Sequence, residues 1–273
     1  MQPALVLALD WSGAIRGVRR KLWIADVRQG ELVGLSCGRD RRSAIDYLIE
    51  RVALEPRTLV GLDFAFSFPA WFLDEQGVTA MPEAWELAAR EGERWLAECP
   101  APFWGRPGRP RPVLAGDRSH LRVTEKECVS VGGQFPKSVF QIGGAGAVGT
   151  GSLRGMPELA RLRAAGVHVW PHDPARLPLA VEIYPRHFTG RVNKSQRGSR
   201  QLWLQKHRIV LADDLRAKSE SGEDAFDAAA SALAMARHAG GSFALPEYAS
   251  AVFRIEGRIW RPRIDEPFGG QRV

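Results

Sequence analysis

The feature that most constrains this chain is a pair of continuous apolar runs that each end in an aspartate. Ala4-Leu5-Val6-Leu7-Ala8-Leu9 runs into Asp10, and Thr58-Leu59-Val60-Gly61-Leu62 runs into Asp63 and Phe64. A strand that is apolar at every position, rather than at every second one, must be covered on both sides, which is the condition of a central strand in an α/β sheet. A lone ionised carboxylate in that setting would cost several kcal/mol to desolvate. Each aspartate therefore needs an arginine, a set of backbone donors or a metal ion, unless it only marks a strand end and caps a turn.

Other segments extend the pattern. Leu22 to Val27, a Gln29-Gly30 turn and Glu31 to Leu35 read as a hairpin or meander, and Arg42 to Leu54 carries apolar residues at helical spacing. Strand signals return at Val167 to Trp170 and at Ala180 to Tyr184, the second holding Glu182. Helices are expected at Pro82 to Glu98, near Ser199 to Asp213, and at Glu223 to Ala239, with a turn-rich closing element around Ile255 to Trp260. Residues from about 65 to 165 mix helix-like pieces with Pro/Gly/Arg-rich and glycine-rich stretches. They are read as a large insertion within one domain spanning 1–273.

Three carboxylates at the ends of three candidate core strands point to one acidic pocket, since ligands of open α/β sheets sit at the carboxyl ends of the strands. The helix beginning Glu223-Asp224-Ala225-Phe226-Asp227 adds to it. Asp224 and Asp227 are spaced i, i+3 and share a face, as do Glu223 and Asp227 at i, i+4. For Asp224 a capping box with Ser221 as N-cap is an ordinary alternative; Asp227 lies beyond the first turn, where that account weakens. Eight alanines between Ala225 and Ala239 would let this helix approach a sheet closely.

Clustered carboxylates repel and take up protons unless a cation is present. Oxygen-only ligands favour magnesium or manganese, and two such ions can stabilise the attacking and leaving oxygens of an in-line displacement. Between Ile183 and Ala212 stand seven basic residues and no acid: Arg186, Arg191, Lys194, Arg197, Arg200, Lys206 and Arg208. That is either a solvated face or a track for a phosphate backbone. The net charge of +7 raises the expectation of a polyanionic partner without deciding it.

Composition excludes some classes. With 45% hydrophobic and 25% charged residues, the chain has the make-up of an ordinary folded protein. Cys37, Cys99 and Cys128 have neither zinc-ligand spacing nor an even count for a disulfide framework, so reduced thiols in a cytoplasmic protein are expected. The first residues lack a charged leader region, and no stretch is long enough to span a bilayer, so a membrane role is not expected.

Together, LALDWSG around Asp10, VGLDFAFSFP around Asp63, VEIYP around Glu182 and EDAFDAAASALA around Asp224 and Asp227 resemble a family known only as predicted RNase H-like nucleases. These are bacterial and archaeal domains of unknown function. The glycine-rich FQIGGAGAVGTGSLRGMPELARLRAAG is similar to a signature of one branch, and the likeness runs from about residue 4 to about residue 260. The resemblance implies an α/β ribonuclease H-like fold: a mixed sheet of five or six strands in the order 3-2-1-4-5, with helices on both faces. It also implies that the acids of the first and fourth strands meet those of the C-terminal helix. The D-x-x-D pair is similar to that of Holliday-junction resolvases. No counterpart is evident of the helix-borne glutamate that classical ribonuclease H enzymes carry after the third strand, and Glu182 is the candidate substitute.

The expectation is a magnesium- or manganese-dependent nuclease acting on nucleic acid. Its catalytic set is Asp10, Asp63, Glu182, Asp224 and Asp227, with Asp10, Asp63, Asp227 and Glu182 as metal ligands. Phosphate contacts are expected from Arg186, Arg191, Lys194, Arg197 and Arg200, with Gly144 and Gly146 offering backbone donors.

Other classes compete. Gly144-Ala-Gly146-Ala-Val-Gly149 matches a dinucleotide fingerprint after a strand-like Ser138 to Ile142, but Gly151, Gly155 and Pro157 should interrupt the required helix. A single-domain relative of sugar-kinase or actin-type ATP-binding enzymes fits Asp10-Trp11-Ser12-Gly13 in part, although those enzymes contain two such domains. P-loop and GxSxG motifs are absent. A non-catalytic nucleic-acid-binding module is the third class: Arg106 to Pro112 resembles arginine–proline hooks, and some of the nine tryptophans could stack on bases. Such a module would have no use for an acidic pocket.

Overall fold

The computed structural model describes residues 2–239, 245 and 250–261. The first half holds β1 (Leu5–Asp10), α1 (Val18–Lys21), β2 (Trp23–Arg28), β3 (Glu31–Ser36), α2 (Arg41–Leu54), β4 (Thr58–Leu62), α3 (Ala70–Glu75), α4 (Met81–Glu98) and α5 (Val123–Lys126). It continues with α6 (Gly149–Ala164), β5 (His168–Val169), β6 (Leu179–Glu182), α7 (Arg186–Thr189), α8 (Arg197–Lys206), α9 (Asp213–Ser219), α10 (Glu223–Ala239) and α11 (Ala251–Glu256). The end of the expected 1–273 unit, after Arg261, lies outside the described residues, as do 240–244 and 246–249.

The strands form one mixed six-stranded sheet in the order β3-β2-β1-β4-β6-β5. β3, β2 and β1 are antiparallel, while β1, β4, β6 and β5 run parallel. The expected order holds through β4 and then fails, because the last two strands are placed out of chain order. β5 is only two residues long and takes the edge, whereas Leu179, Ala180 and Val181 are all buried and need a neighbour on each side.

Side-chain alternation assigns the two faces. Leu5, Leu7 and Leu9 of β1, with Val60 and Leu62 of β4, enter a core shared with α2, α4 and α6. Val6 and Ala8, with Leu59 of β4 and Val181 of β6, enter a second core shared with α8, α9 and α10. The segment expected as an insertion therefore supplies much of one helical layer through α4 and α6. On the other face α10 lies against β1, β2 and β3, with its alanines turned inward. Gly61 of β4 receives Met235 of α10, and a Cβ there would collide with the methionine sulfur.

Several expectations about local structure are corrected. The helix expected near Ser199 to Asp213 is two helices: α8 stops at Lys206, Arg208 takes a left-handed backbone (φ 53), and the β-branched pair Ile209-Val210 separates it from α9. Ser138 to Ile142 forms no strand; Gln141 makes only an isolated bridge to Trp104. Conversely, α6 starts at Gly149 and passes through Gly151, Gly155 and Pro157. Its glycines serve close packing: a Cβ on Gly155 would stand 2.7 Å from the Phe64 ring. Ser221 is not the N-cap of α10; its hydroxyl donates to Lys218 O at the end of α9.

Candidate active site

The alternation that fills the two cores also aims the carboxylates. On β1, Asp10 follows Val6 and Ala8 in parity and so belongs to the α10 face. Asp63 follows Leu59 and Gly61 in the same way. The two strands are parallel neighbours, and Asp63 N donates to Leu9 O at 3.2 Å, so both acids sit at the carboxyl end of one strand pair. α10 crosses this face. Its Asp227, one turn beyond Asp224, is buried, and Asp224 is half-buried.

These four carboxylates feel one another. Burial raises Asp10 well above the ordinary range, and the charges of Asp227, Asp63 and Asp224 raise it further against the pull of Lys194. Asp63 is pushed up to about 8 by burial and by Asp227. Asp227 is raised by burial against Lys194, and Asp224 by burial and its neighbour Glu223. Lys194 Nζ donates to Asp227 Oδ2 and is the ammonium inside the cluster. Asp227 Oδ1 is buried without a partner.

Glu182 is a different case. It pairs in register with Leu62, whose side chain enters the opposite core, so Glu182 faces away from α10. There Arg122, itself buried, donates to both its oxygens, with Nη1 to Oε2 at 2.9 Å, and Phe66 N donates to Oε2 at 3.0 Å. Arg122 also binds Glu125 through Nε (2.7 Å), and the backbone of Glu256 through Nη1 (2.9 Å). Burial raises Glu182 and Arg122 lowers it. Its charge is still felt at Asp63, but its oxygens are engaged in an ion-pair network. Arg122, Glu125 and Glu256 were not singled out from sequence; the i, i+3 spacing of Arg122 and Glu125 was the available signal.

The basic segment divides sharply. Arg186, Arg191 and Lys194 line a cleft of about 590 Å³ beside the cluster, opposite the Gly132-Gly133 turn. Part of Arg186 is used within the chain, since Nη1 donates to Gly190 O (3.2 Å) and Val192 O (2.7 Å). Arg197 pairs with Glu220 at 3.1 Å. Arg200 is buried, donating to Glu220 O and Lys194 O, so it shapes the loop and does not reach a ligand. Lys206 lines a neighbouring cleft with His187 and Trp203. Gly146 borders another cleft of about 450 Å³, which Asp63 and Glu182 both line together with Ser12, Arg122, Lys137 and Tyr184; Gly144 lies outside its lining.

In donor chemistry the cluster suits a hard divalent cation: four carboxylates, one buried oxygen without a partner, and no nitrogen or sulfur ligand. In present arrangement it is not closed around an ion. Among the described residues no three His, Cys, Asp or Glu side chains converge closely enough to hold one.

Comparison of the chain with protein-family models, curated proteins and solved structures finds no match in any of the three. Among the described residues, no helix is long and apolar enough to cross a membrane.

Proposed function

We propose that this chain is a metal-dependent nuclease of the ribonuclease H-like type, hydrolysing phosphodiester bonds of nucleic acid. The observation that carries the reading is Asp227: a buried aspartate with one oxygen unpartnered, turned by an alanine-rich helix toward two aspartates on adjacent parallel strands. Burying like charges together is costly, and a fold that does so gains by binding a cation. Asp10, Asp63 and Asp227 are the residues to hold magnesium or manganese, with Asp224 at the edge. An ion bound there would activate a water and stabilise charge on the scissile phosphate. Arg191 and the free nitrogens of Arg186 would hold flanking phosphates in the adjacent cleft. Glu182 keeps the Arg122 network in place and takes no part in the chemistry.

Support for the fold reading is the 3-2-1-4 strand order and the acid-bearing helix, which packs on β2 and β1 and reaches β4. The kinase-like reading is less well supported. The carbonyls of the Ser12-Gly13-Ala14 turn are held by the protein itself, with Arg41 on Ser12 O (3.1 Å) and Ala14 O (2.9 Å), Arg154 on Gly13 O, and Gly13 packed against Thr150-Gly151, although the turn borders the cleft of about 450 Å³.

The deciding experiment assays cleavage of single-stranded, duplex, hybrid and junction substrates with magnesium or manganese, by wild type and Asp10→Asn. The reading requires a metal-dependent product from at least one substrate and its loss in the variant. Activity unchanged in Asp10→Asn, or no cleavage of any substrate, would overturn it.

A further inference from the structure

The cluster contains a cation already. Lys194 Nζ is bound to Asp227 Oδ2, and the two side chains are 13% and 10% exposed. Its backbone is pinned, because the buried Arg200 donates to Lys194 O. The mobile part is therefore the four-carbon stem, which carries a compact charge with three rotatable donors. That stem stands at a boundary. On one side is Asp227, with its unpartnered Oδ1; on the other is the cleft lined by Arg186, Arg191 and Asn193.

Resting on the nuclease reading, we propose that Lys194 is an exchangeable internal cation: it neutralises Asp227 until a divalent ion takes that carboxylate, and then turns its ammonium into the Arg186–Arg191 cleft to bind a substrate phosphate. An ammonium and a divalent cation cannot share one carboxylate without strong repulsion. The exchange accounts for a cluster whose chemistry suits a metal and whose arrangement lacks a closed site. It also couples two bindings. Metal entry adds one positive charge to the phosphate cleft, so metal and polyanion each tighten the other by the same factor. The sign is distinctive, because magnesium ordinarily weakens polyanion binding by competing for the phosphates.

The test uses wild type, Lys194→Met and Lys194→Arg. Metal affinity is read from the midpoint of the melting-temperature rise on titration with magnesium or manganese chloride. Polyanion affinity is read by fluorescence anisotropy of a short phosphorothioate oligodeoxynucleotide at constant ionic strength, with EDTA or with metal. Lys194→Met should bind metal about tenfold more tightly than wild type, within the range of ordinary coupling between sites, and Lys194→Arg should resemble wild type. Metal should tighten oligonucleotide binding by wild type and not by Lys194→Met. If Lys194→Met folds only with metal present, that too supports exchange, since the ion then replaces the missing charge. A Lys194→Met midpoint equal to or weaker than that of a responsive wild type overturns the exchange and leaves the nuclease reading standing. A Lys194→Met protein that stays unfolded at every metal concentration overturns it as well. If none of the proteins responds to metal, the exchange and the reading beneath it both fall.

Discussion

Arg122 and Lys194 each hold buried carboxylates at the same end of the sheet, on opposite faces, and the two sites are built differently. All five N–H groups of Arg122 are engaged, two with Glu125, two with Glu182 and one with Glu256 O. The carboxylates around it receive further backbone donors: Phe66 N on Glu182, and Ala70 N and Val123 N on Glu256. Across the sheet, Lys194 is the one cation hydrogen-bonded to the four aspartates among the described residues, with Lys21 near Asp224 and Arg186 near Asp227 acting only at a distance. One buried oxygen has no partner, and no protein donor meets the side chains of Asp10 or Asp63 among the described residues. The first group is complete without a ligand and works as structure. The second is left short of positive charge, which is the condition of a site that binds a cation.

The largest effect should come from breaking the complete group. Arg122→Met removes five hydrogen bonds and strands Glu125 and Glu182 in the interior. The expected loss is about 3–5 kcal/mol, a fall in melting temperature of roughly 10 °C for a chain of this size. Magnesium should not restore it, and melting curves with and without metal would show whether it does.

Breaking the incomplete group should have the opposite sign. Asp10→Asn keeps the shape of the side chain and cannot ionise, whereas Asp10 ionises only against burial and three neighbouring aspartates, so in EDTA the variant should match wild type or exceed it by about 1 kcal/mol. It should also lose metal-dependent cleavage by about a hundredfold or more, because the ion loses a ligand. A destabilised Asp10→Asn in EDTA would show that the carboxylates are satisfied as they stand, and that the contrast between the two groups is false.

The contrast also fixes a pH dependence. Asp63 is pushed up to about 8 and Asp10 is raised, so the folded protein keeps protons that the unfolded chain has released above roughly pH 4. Their contribution is full below the unfolded pKa and is lost as pH rises through the folded one. In EDTA the melting temperature should therefore fall between pH 6 and pH 8.5, and Asp63→Asn should flatten that slope. Saturating magnesium should flatten it too. A wild-type profile without slope in EDTA would place Asp63 in an ordinary environment.

Much of this was legible in the sequence, and the misses share a cause. Apolar runs ending at Asp10 and Asp63 mark β1 and β4 as strands buried on both faces, their adjacency is implied only by the family resemblance, and the alanines of α10 anticipate a close approach to the sheet, which the structure places over Gly61. Glu182 was grouped with the two aspartates because it also stands at a strand end. Period-two alternation separates them, but assigning the face of β6 requires its register with β4, a contact between distant residues that composition does not carry. Arg122 was invisible for the same reason: its partners Glu182 and Glu256 lie 60 and 134 residues away. In the basic segment, charge alone could not tell Arg200, buried against carbonyls, from Arg191, exposed in a cleft.

That last pair offers the smallest and most selective test. Arg200→Ala should cost about 2–3 kcal/mol, because Glu220 O and Lys194 O lose buried charged donors. Any effect it has on oligonucleotide binding should follow from the displaced Lys194 loop. Arg191 is exposed, and its stem lies beside the Gly132 turn, where a Cβ would stand 2.8 Å from Arg191 Cγ. Arg191→Ala should therefore leave stability within about 0.5 kcal/mol of wild type. If its guanidinium meets a phosphate, oligonucleotide affinity should fall uniformly across sequences, and the slope of log affinity against log salt should drop by about 1. Anisotropy titrations at several salt concentrations read both quantities. An unchanged slope would make Arg191 a solvated charge and move the polyanion track to the other side of the cluster, where Lys137 and Gly146 border the cleft that reaches Asp63.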